Sequence, residues 1–126
     1  MYHLALVALG GAIGASSRYL VGIAALRLIG PGFPFATAFV NVSGSFAMGI
    51  VIGTLGMRQP AGGDALRLFL ATGILGGYTT FSAFSLDAIQ LWEGNQEMLA
   101  LLYVGGSVLL SISALAAGLR LASYAL

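Results

Sequence analysis

Four long apolar stretches alternate with three short polar segments along the chain. The apolar stretches run over about residues 4–26, 35–57, 65–92 and 98–119. Each is long enough for a helix across the hydrocarbon core of a bilayer, which takes about 20 residues. The segments between them contain glycine, proline, asparagine and charged residues, which interrupt helices. The pattern therefore predicts an all-α integral membrane protein, with residues 1–126 forming one domain of four transmembrane helices.

The composition strengthens this prediction and excludes other classes of protein. Hydrophobic residues make up 59% of the chain and charged residues 7%, whereas about 25% of a typical soluble domain is charged. The basic residues are five arginines, with a formal net charge of +1, so no basic surface for nucleic acid is expected. There is no cysteine, and the one histidine lies near the N-terminus. We therefore expect the lipid bilayer as the surroundings, no nucleic-acid partner and no enzymatic activity.

The arginines give almost no signal for a single orientation in the membrane. Arg58, Arg67 and Arg120 fall on the side that holds both ends of the chain. Arg27 falls on the other side, and Arg18 lies nearest to it. Because the lysine and arginine bias sets orientation, this distribution predicts insertion both ways up, although weaker cues could still select one orientation. Four short helices also cannot enclose a pore by themselves, so an oligomer is expected, and an antiparallel dimer is one such assembly.

The middle of the third apolar stretch is unusually polar and glycine-rich. Residues 72–85 read TGILGGYTTFSAFS, and glycine and threonine are poor helix formers. We expect the third helix to break near residues 76–80, with Gly77 supplying backbone freedom through a positive φ. A break at membrane depth is tolerated only where the backbone is buried in protein or lines a polar cavity. The alternative is a kink in which serine and threonine side chains bond to carbonyls of their own helix.

Aromatic and hydroxyl side chains follow the expected break at helical spacing. Phe81 and Phe84 form one i,i+3 pair, Ser82 and Ser85 form a second, and Thr80 lies beside Phe84. The edge of a phenylalanine ring is positive and a hydroxyl donates hydrogen bonds. Such a surface could solvate a small anion without a full positive charge. The alternative is that the two phenylalanines face lipid or the core.

Four further polar residues lie within the spans. Asn41 either bonds to a neighbouring helix or contributes to an ion pathway. Arg18 either extends to the interface or lies at the mouth of an aqueous vestibule, where it would attract anions. Tyr103 offers a phenolic donor near the start of the fourth span, and Asp87 is the one carboxylate inside a span.

Three segments of the chain resemble the signatures of the Fluc (CrcB) family of fluoride ion channels. They are GILGGYTTFSAFS over residues 73–85, VNVSG over residues 40–44 and GGAIGASSRY over residues 10–19. The resemblance extends to the length and the four-span layout, and the third-span motif is specific. It implies a dual-topology antiparallel homodimer in the cell inner membrane, with two separate pores for passive export of fluoride and the third helix broken mid-span.

The resemblance also implies roles for individual residues. In these roles Asn41, Phe81 and Phe84 line the ion pathway, and Thr80, Ser82 and Ser85 form a hydroxyl track along it. Tyr103 is the fourth-span tyrosine of the pathway, and Arg18 is the vestibule arginine. The carbonyls of Gly76 and Thr79 from both subunits hold a structural sodium ion. Two positions depart from the family pattern. Ala83 stands where threonine is usual, and Asp87 where glutamate is common.

Two other functions stay open at this point. A small dual-topology, proton-coupled multidrug transporter also has four spans, but it needs a carboxylate in the membrane that exchanges protons. The first span has none, and Asp87 lies toward the end of a helix. A structural membrane protein without transport activity would not need a track of hydroxyls and rings beside a broken helix.

Overall fold

The computed structural model describes residues 1–58 and 63–125 of the chain. Two long helices come first, α1 (Tyr2–Leu28) and α2 (Phe35–Arg58). The third crossing is built in pieces: α3 (Gly63–Arg67), a π-helical segment (Leu68–Leu75), α4 (Gly76–Tyr78) and α5 (Phe81–Glu93). The last helix is α6 (Glu97–Ala125). Among the described residues, four spans are long and apolar enough to cross a membrane, which confirms the predicted all-α membrane fold.

The turns at one end of the bundle rest on three residues with positive φ. Gly30 and Gly32, between α1 and α2, have φ of +92° and +124°, and glycine adopts this region without steric penalty. Between α5 and α6, Asn95 takes φ of 60°, and asparagine is among the few other residues that adopt such values. These two short turns join α1 to α2 and α5 to α6.

Glycines bring the helix backbones into direct contact in two places. In the first, α2 lies against α6, and a Cβ added at Gly49 would overlap the Leu115 carbonyl. In the second, α1 lies against the third crossing, and a Cβ added at Gly10 would come within 2.6 Å of the Phe69 carbonyl oxygen. Close approach through small residues is the usual way in which helices associate in lipid.

A small core lies between α5 and α6, and most other apolar side chains face outward. The buried members of the core are Phe84, Leu91, Ala100 and Tyr103. In the four spans, only 11–28% of the most apolar window is buried inside the chain. The outer surface is therefore suited to contact with lipid or with another protein in the membrane.

Candidate functional site

The third crossing is interrupted at Thr79 and Thr80. Helix α4 ends at Tyr78, and Thr79 and Thr80 adopt extended conformations with ψ of 158° and 120°. Helix α5 then begins at Phe81. Because two successive residues leave the helical region, this is a break rather than a kink, and the predicted break is confirmed.

The expectation for Gly77 is wrong. Gly77 lies within the helical residues Gly76–Tyr78, and it is not among the described residues with positive φ. A Cβ at Gly77 would lie 2.6 Å from the Gly11 carbonyl oxygen and 3.1 Å from the Ala15 nitrogen. Glycine is therefore required here because α1 passes too close for a side chain, and the extended residues of the break are both threonines.

Asn41 holds the broken segment against α2. Its Nδ2 donates to the Thr80 carbonyl oxygen at 3.0 Å, and the Thr80 N–H donates to Asn41 Oδ1 at 2.8 Å. The carboxamide thus satisfies both backbone groups of one residue, as a neighbouring strand would. Because an amide nitrogen carries two hydrogens, one remains for another acceptor. Nothing in the sequence indicated this pairing, since the two residues are 39 positions apart.

Thr80 also caps the helix that follows the break. Its Oγ1 accepts a hydrogen bond from the Ala83 N–H at 3.1 Å, and Ser82 Oγ lies 3.3 Å away. This is the usual arrangement of a threonine N-cap, which satisfies one of the free amides at a helix start. The side chain of Thr80 is buried, so the cap lies inside the protein.

The break leaves two backbone carbonyls without their helical donors. In a continuous helix the Thr80 N–H would donate to the Gly76 carbonyl and the Ala83 N–H to the Thr79 carbonyl. Here those amides donate to Asn41 Oδ1 and Thr80 Oγ1 instead. The two carbonyls named in the sodium expectation therefore have capacity for another ligand.

A groove of about 330 Å³ opens beside the break, between α2, α5 and α6. It brings together four residues expected in the ion pathway: Asn41, Thr80, Phe81 and Phe84. Thr79 and three serines add to its polar lining, with Ser45 on α2 and Ser107 and Ser111 on α6. The predicted site residues did not include these serines, and the signal that could have found them is i,i+4 spacing of small polar residues within an apolar span.

The two phenylalanines occupy different surroundings. Their ring centroids are 5.6 Å apart, with an interplanar angle of 52°. Phe84 is 8% exposed and forms part of the core, whereas Phe81 is 78% exposed. Phe81 therefore projects from the surface of the chain at membrane depth, where lipid or another protein must cover it.

Tyr103 lies behind Phe84, away from the groove. It is 2% exposed, and its hydroxyl donates to Asp87 Oδ2 at 3.0 Å. Its ring packs against Phe84 and, edge to face, against Phe33, with centroid distances of 5.2 and 5.5 Å. Asp87 in turn lines a second cavity of about 340 Å³ beside the turn between α1 and α2. Phe84 and Tyr103 thus lie between the two cavities.

The structure does not bring the remaining predicted residues to the groove. Ser85 Oγ donates to the Phe81 carbonyl oxygen at 2.9 Å, and Ser82 is exposed, and neither residue lines the groove. Arg18 lies on α1, and among the described residues its buried Nε has no hydrogen-bond partner. The roles of all the predicted pathway residues, and of Arg18, in ion passage stay predictions.

Side chains offer little to a metal ion. Within residues 1–58 and 63–125, no group of three or more His, Cys, Asp or Glu side chains could hold one. A cation in this part of the chain would depend on backbone and hydroxyl oxygens, which suit hard cations.

Four apolar spans, a broken third helix and a neutral polar groove at membrane depth define a multi-pass membrane protein of the kind that handles small ions. The family model described as "CrcB-like protein, Camphor Resistance (CrcB)" matches residues 5–119, and the chain belongs to that family.

Similar proteins carry the name "Fluoride-specific ion channel FluC". The one from Hyphomonas neptunium is 52% identical over 117 residues, which covers 93% of this chain and 92% of that protein. The one from Chelativorans sp. is 55% identical over 122 residues, covering 97% of each. The one from Agrobacterium fabrum is 50% identical over 121 residues, covering 96% of each. These relatives are named as channels, in agreement with the expectation that the chain is not an enzyme.

Proposed function

We propose that this protein is a fluoride-selective channel that lets fluoride leave the cell passively. The observation that carries the proposal is the identity of 50–55% over nearly the whole chain to channels named for fluoride. The groove beside the break agrees with this role, because its polar lining is neutral and consists of hydrogen-bond donors. The multidrug transporter is not supported by these relatives, and Asp87 is engaged with Tyr103.

The chemistry of the groove suits a small anion. Fluoride is strongly hydrated, so a pathway must replace its water with other donors. Asn41 has a second amide hydrogen, and Ser45, Ser107 and Ser111 carry hydroxyls along the same groove. The edge of the Phe84 ring adds a weaker positive potential. Neutral, distributed donors bind the ion loosely enough for it to leave again, which conduction requires.

A second copy of the chain completes the pathway in this proposal. Phe81, Gly76 and Ser82 are all exposed beside the broken backbone at membrane depth. Polar groups and irregular backbone are not stable against lipid, so another protein surface is needed to cover them. The chain itself is the simplest source of such a surface.

An antiparallel arrangement of the two copies fits the charges at the ends of the bundle. Arg67 and Arg120 lie at the end that holds the N-terminus, whereas Glu93 and Glu97 outnumber Arg27 at the other end. Antiparallel packing places the basic end of one subunit beside the acidic end of the other at each membrane surface. We therefore propose a homodimer inserted in both orientations, and the cell inner membrane as its location.

The carbonyls of Gly76 and Thr79 fit a structural sodium ion shared by the two subunits. Both are neutral oxygens, and the amides that would bond them in a helix donate elsewhere. Unwound backbone carbonyls hold sodium in other membrane proteins. When bound, the ion would offset the dipoles of carbonyls from the broken helices. Electron density for an ion between paired carbonyls in an experimental dimer structure would support this site, and its absence would contradict it.

The channel proposal is tested with purified protein in liposomes loaded with potassium fluoride or potassium chloride. Fluoride should leave rapidly once valinomycin lets potassium follow, because passive conduction moves charge. Chloride-loaded liposomes and protein-free liposomes should keep their contents. Equal efflux of both anions would contradict selectivity. Fluoride release that needs a proton gradient rather than valinomycin would contradict a channel.

A further inference from the structure

We propose that Gly44 is a positioning residue for the ion pathway, because the space beside it on α2 lets the break lie close enough for Thr80 to bond to Asn41. Gly44 acts through the Thr79 side chain that fills this space, and it has no side chain of its own to offer an ion. The proposal rests on the channel function only where transport is the readout, and amide exchange at Thr80 tests it independently.

Gly44 lies where the broken segment meets α2. It is buried, and a Cβ added to it would overlap Thr79 Cγ2 and lie 3.1 Å from Tyr78 Cδ1. Carbon atoms in ordinary contact are about 3.5–4.0 Å apart. The Thr79 methyl group therefore occupies the space that a side chain at position 44 would need. Because glycine is a poor helix former, this contact explains why glycine stands inside α2.

Thr79 cannot make room by turning its side chain. Its Oγ1 donates to the Leu75 carbonyl oxygen at 2.9 Å, and its N–H donates to the same oxygen at 3.0 Å. Threonine has few allowed values of χ1, since two heavy atoms branch from its Cβ. A rotation that took Cγ2 away from Gly44 would also take Oγ1 away from the Leu75 carbonyl. A side chain at position 44 must therefore displace the backbone of the break.

Such a displacement would separate Thr80 from Asn41. Asn41 and Gly44 are three residues apart and share a face of α2, and they meet the adjacent residues Thr80 and Thr79. The two bonds between Asn41 and Thr80 are 2.8 and 3.0 Å long. Relief of the overlap needs a movement of about 1 Å away from α2, which takes both bonds beyond the usual range of about 2.7–3.2 Å. Gly44 thus sets the spacing at which the Asn41 side chain is held in the groove.

A double-mutant cycle isolates the contact between positions 44 and 79. Gly44→Ala adds the methyl group that would overlap Thr79 Cγ2. Thr79→Ser removes Cγ2 and keeps the Oγ1 that bonds to the Leu75 carbonyl. Gly49→Ala is the control for the specificity of rescue, because its Cβ would overlap the Leu115 carbonyl of α6, away from the break.

The variants are compared by fluoride efflux from liposomes and by amide hydrogen exchange. Gly44→Ala should reduce efflux and accelerate exchange of the Thr80 amide, each by at least about tenfold, because a buried hydrogen bond is lost. In the Thr79→Ser background, Gly44→Ala should reduce efflux by less than about threefold, because the overlapping methyl group is gone. Amides of α6 beside Leu115 should keep their protection in Gly44→Ala, since the displacement is local. Thr79→Ser should not rescue Gly49→Ala.

Several results would overturn the proposal. Normal efflux and normal Thr80 exchange in Gly44→Ala would do so. An equal loss of efflux in both backgrounds would mean that the added methyl group only narrows the groove, which both residues line. Equal acceleration of exchange at Thr80 and along α6, or rescue of Gly49→Ala by Thr79→Ser, would mean a general effect on stability.

Two outcomes have their own interpretation. If Gly44→Ala does not fold, the double variant decides the question. Folding and efflux at the level of Thr79→Ser alone would support the proposal, and a double variant that also fails to fold would overturn it. If wild type moves no fluoride, the channel proposal fails, while Thr80 exchange across the cycle still tests the role of Gly44.

Discussion

A single carboxamide connects the backbone of the break to the groove. Asn41 donates to the carbonyl of Thr80 and accepts from its N–H, and it also lines the groove. The two bonds orient the side chain, so that its remaining N–H is fixed without cost at the moment an ion arrives. Few other residue types carry both a donor and an acceptor in one planar group.

Asn41→Asp should therefore abolish fluoride efflux. The carboxylate keeps an acceptor for the Thr80 N–H but loses the donor to the Thr80 carbonyl, and its charge repels an anion. The protein should still form dimers, which gel filtration in detergent reports. Ser43→Ala is the control on the same helix, because Ser43 bonds to Phe39 and Tyr78 rather than lining the groove. Undiminished efflux in Asn41→Asp would show that Asn41 does not contribute to the ion pathway.

The sequence could predict the break and part of the groove, because local composition determines them. Consecutive glycines and threonines disfavour a helix wherever they occur, and Phe81 and Phe84 share a face by spacing alone. The pairing of Asn41 with Thr80 is a tertiary contact across 39 residues, and no local pattern encodes it. The role expected for Gly77 is wrong for a related reason. Glycine is required at this position because the Gly11 carbonyl of another helix lies too close for a side chain.

At the scale of elements, helix α5 depends on the cap that Thr80 provides. Thr80→Val keeps the shape of the side chain and removes the oxygen that accepts from the Ala83 N–H. The loss should lower the free energy of unfolding by about 1 kcal/mol and reduce efflux, because the orientation of Phe84 depends on the start of α5. Thr80→Ser retains the hydroxyl and should preserve both. Thermal unfolding in detergent measures the change in stability, and liposome assays measure the change in efflux. Equal stability and equal efflux of Thr80→Val and Thr80→Ser would contradict the capping role of Thr80.

The contact between α1 and the third crossing predicts a large effect from one methyl group. Gly77→Ala places a Cβ 2.6 Å from the Gly11 carbonyl oxygen, which is too close for the two atoms, so the helices must separate. Overpacking of this kind typically costs about 1–3 kcal/mol. Gly105→Ala is the matched control in α6, because a Cβ there meets nothing within 4 Å of the described chain. A higher melting temperature for Gly77→Ala than for Gly105→Ala would contradict the packing role of Gly77.

At the scale of the whole molecule, a few charges at the ends of the spans decide the orientation in which the chain inserts into the membrane. The two ends of the bundle differ in sign, but the arginine bias between them is small. Because added lysines change orientation, the antiparallel dimer can be tested without altering the groove. Ser123→Lys with Tyr124→Lys adds positive charge at the basic end, on exposed side chains of α6. Glu93→Lys with Glu97→Lys adds it at the other end, also on exposed positions.

Each double variant should insert in one orientation and lose fluoride efflux when produced alone, because all its copies point the same way. Produced together in the same membrane, the two variants should assemble as an antiparallel pair and recover efflux.

The chain contains no cysteine, so a single cysteine at Leu121, exposed near the end of α6, can report orientation through a membrane-impermeant maleimide. About half of the wild-type chains should react from outside, and nearly all or none in each variant. Full efflux from either variant alone, with its orientation confirmed as uniform, would show that the pathway does not need an antiparallel partner.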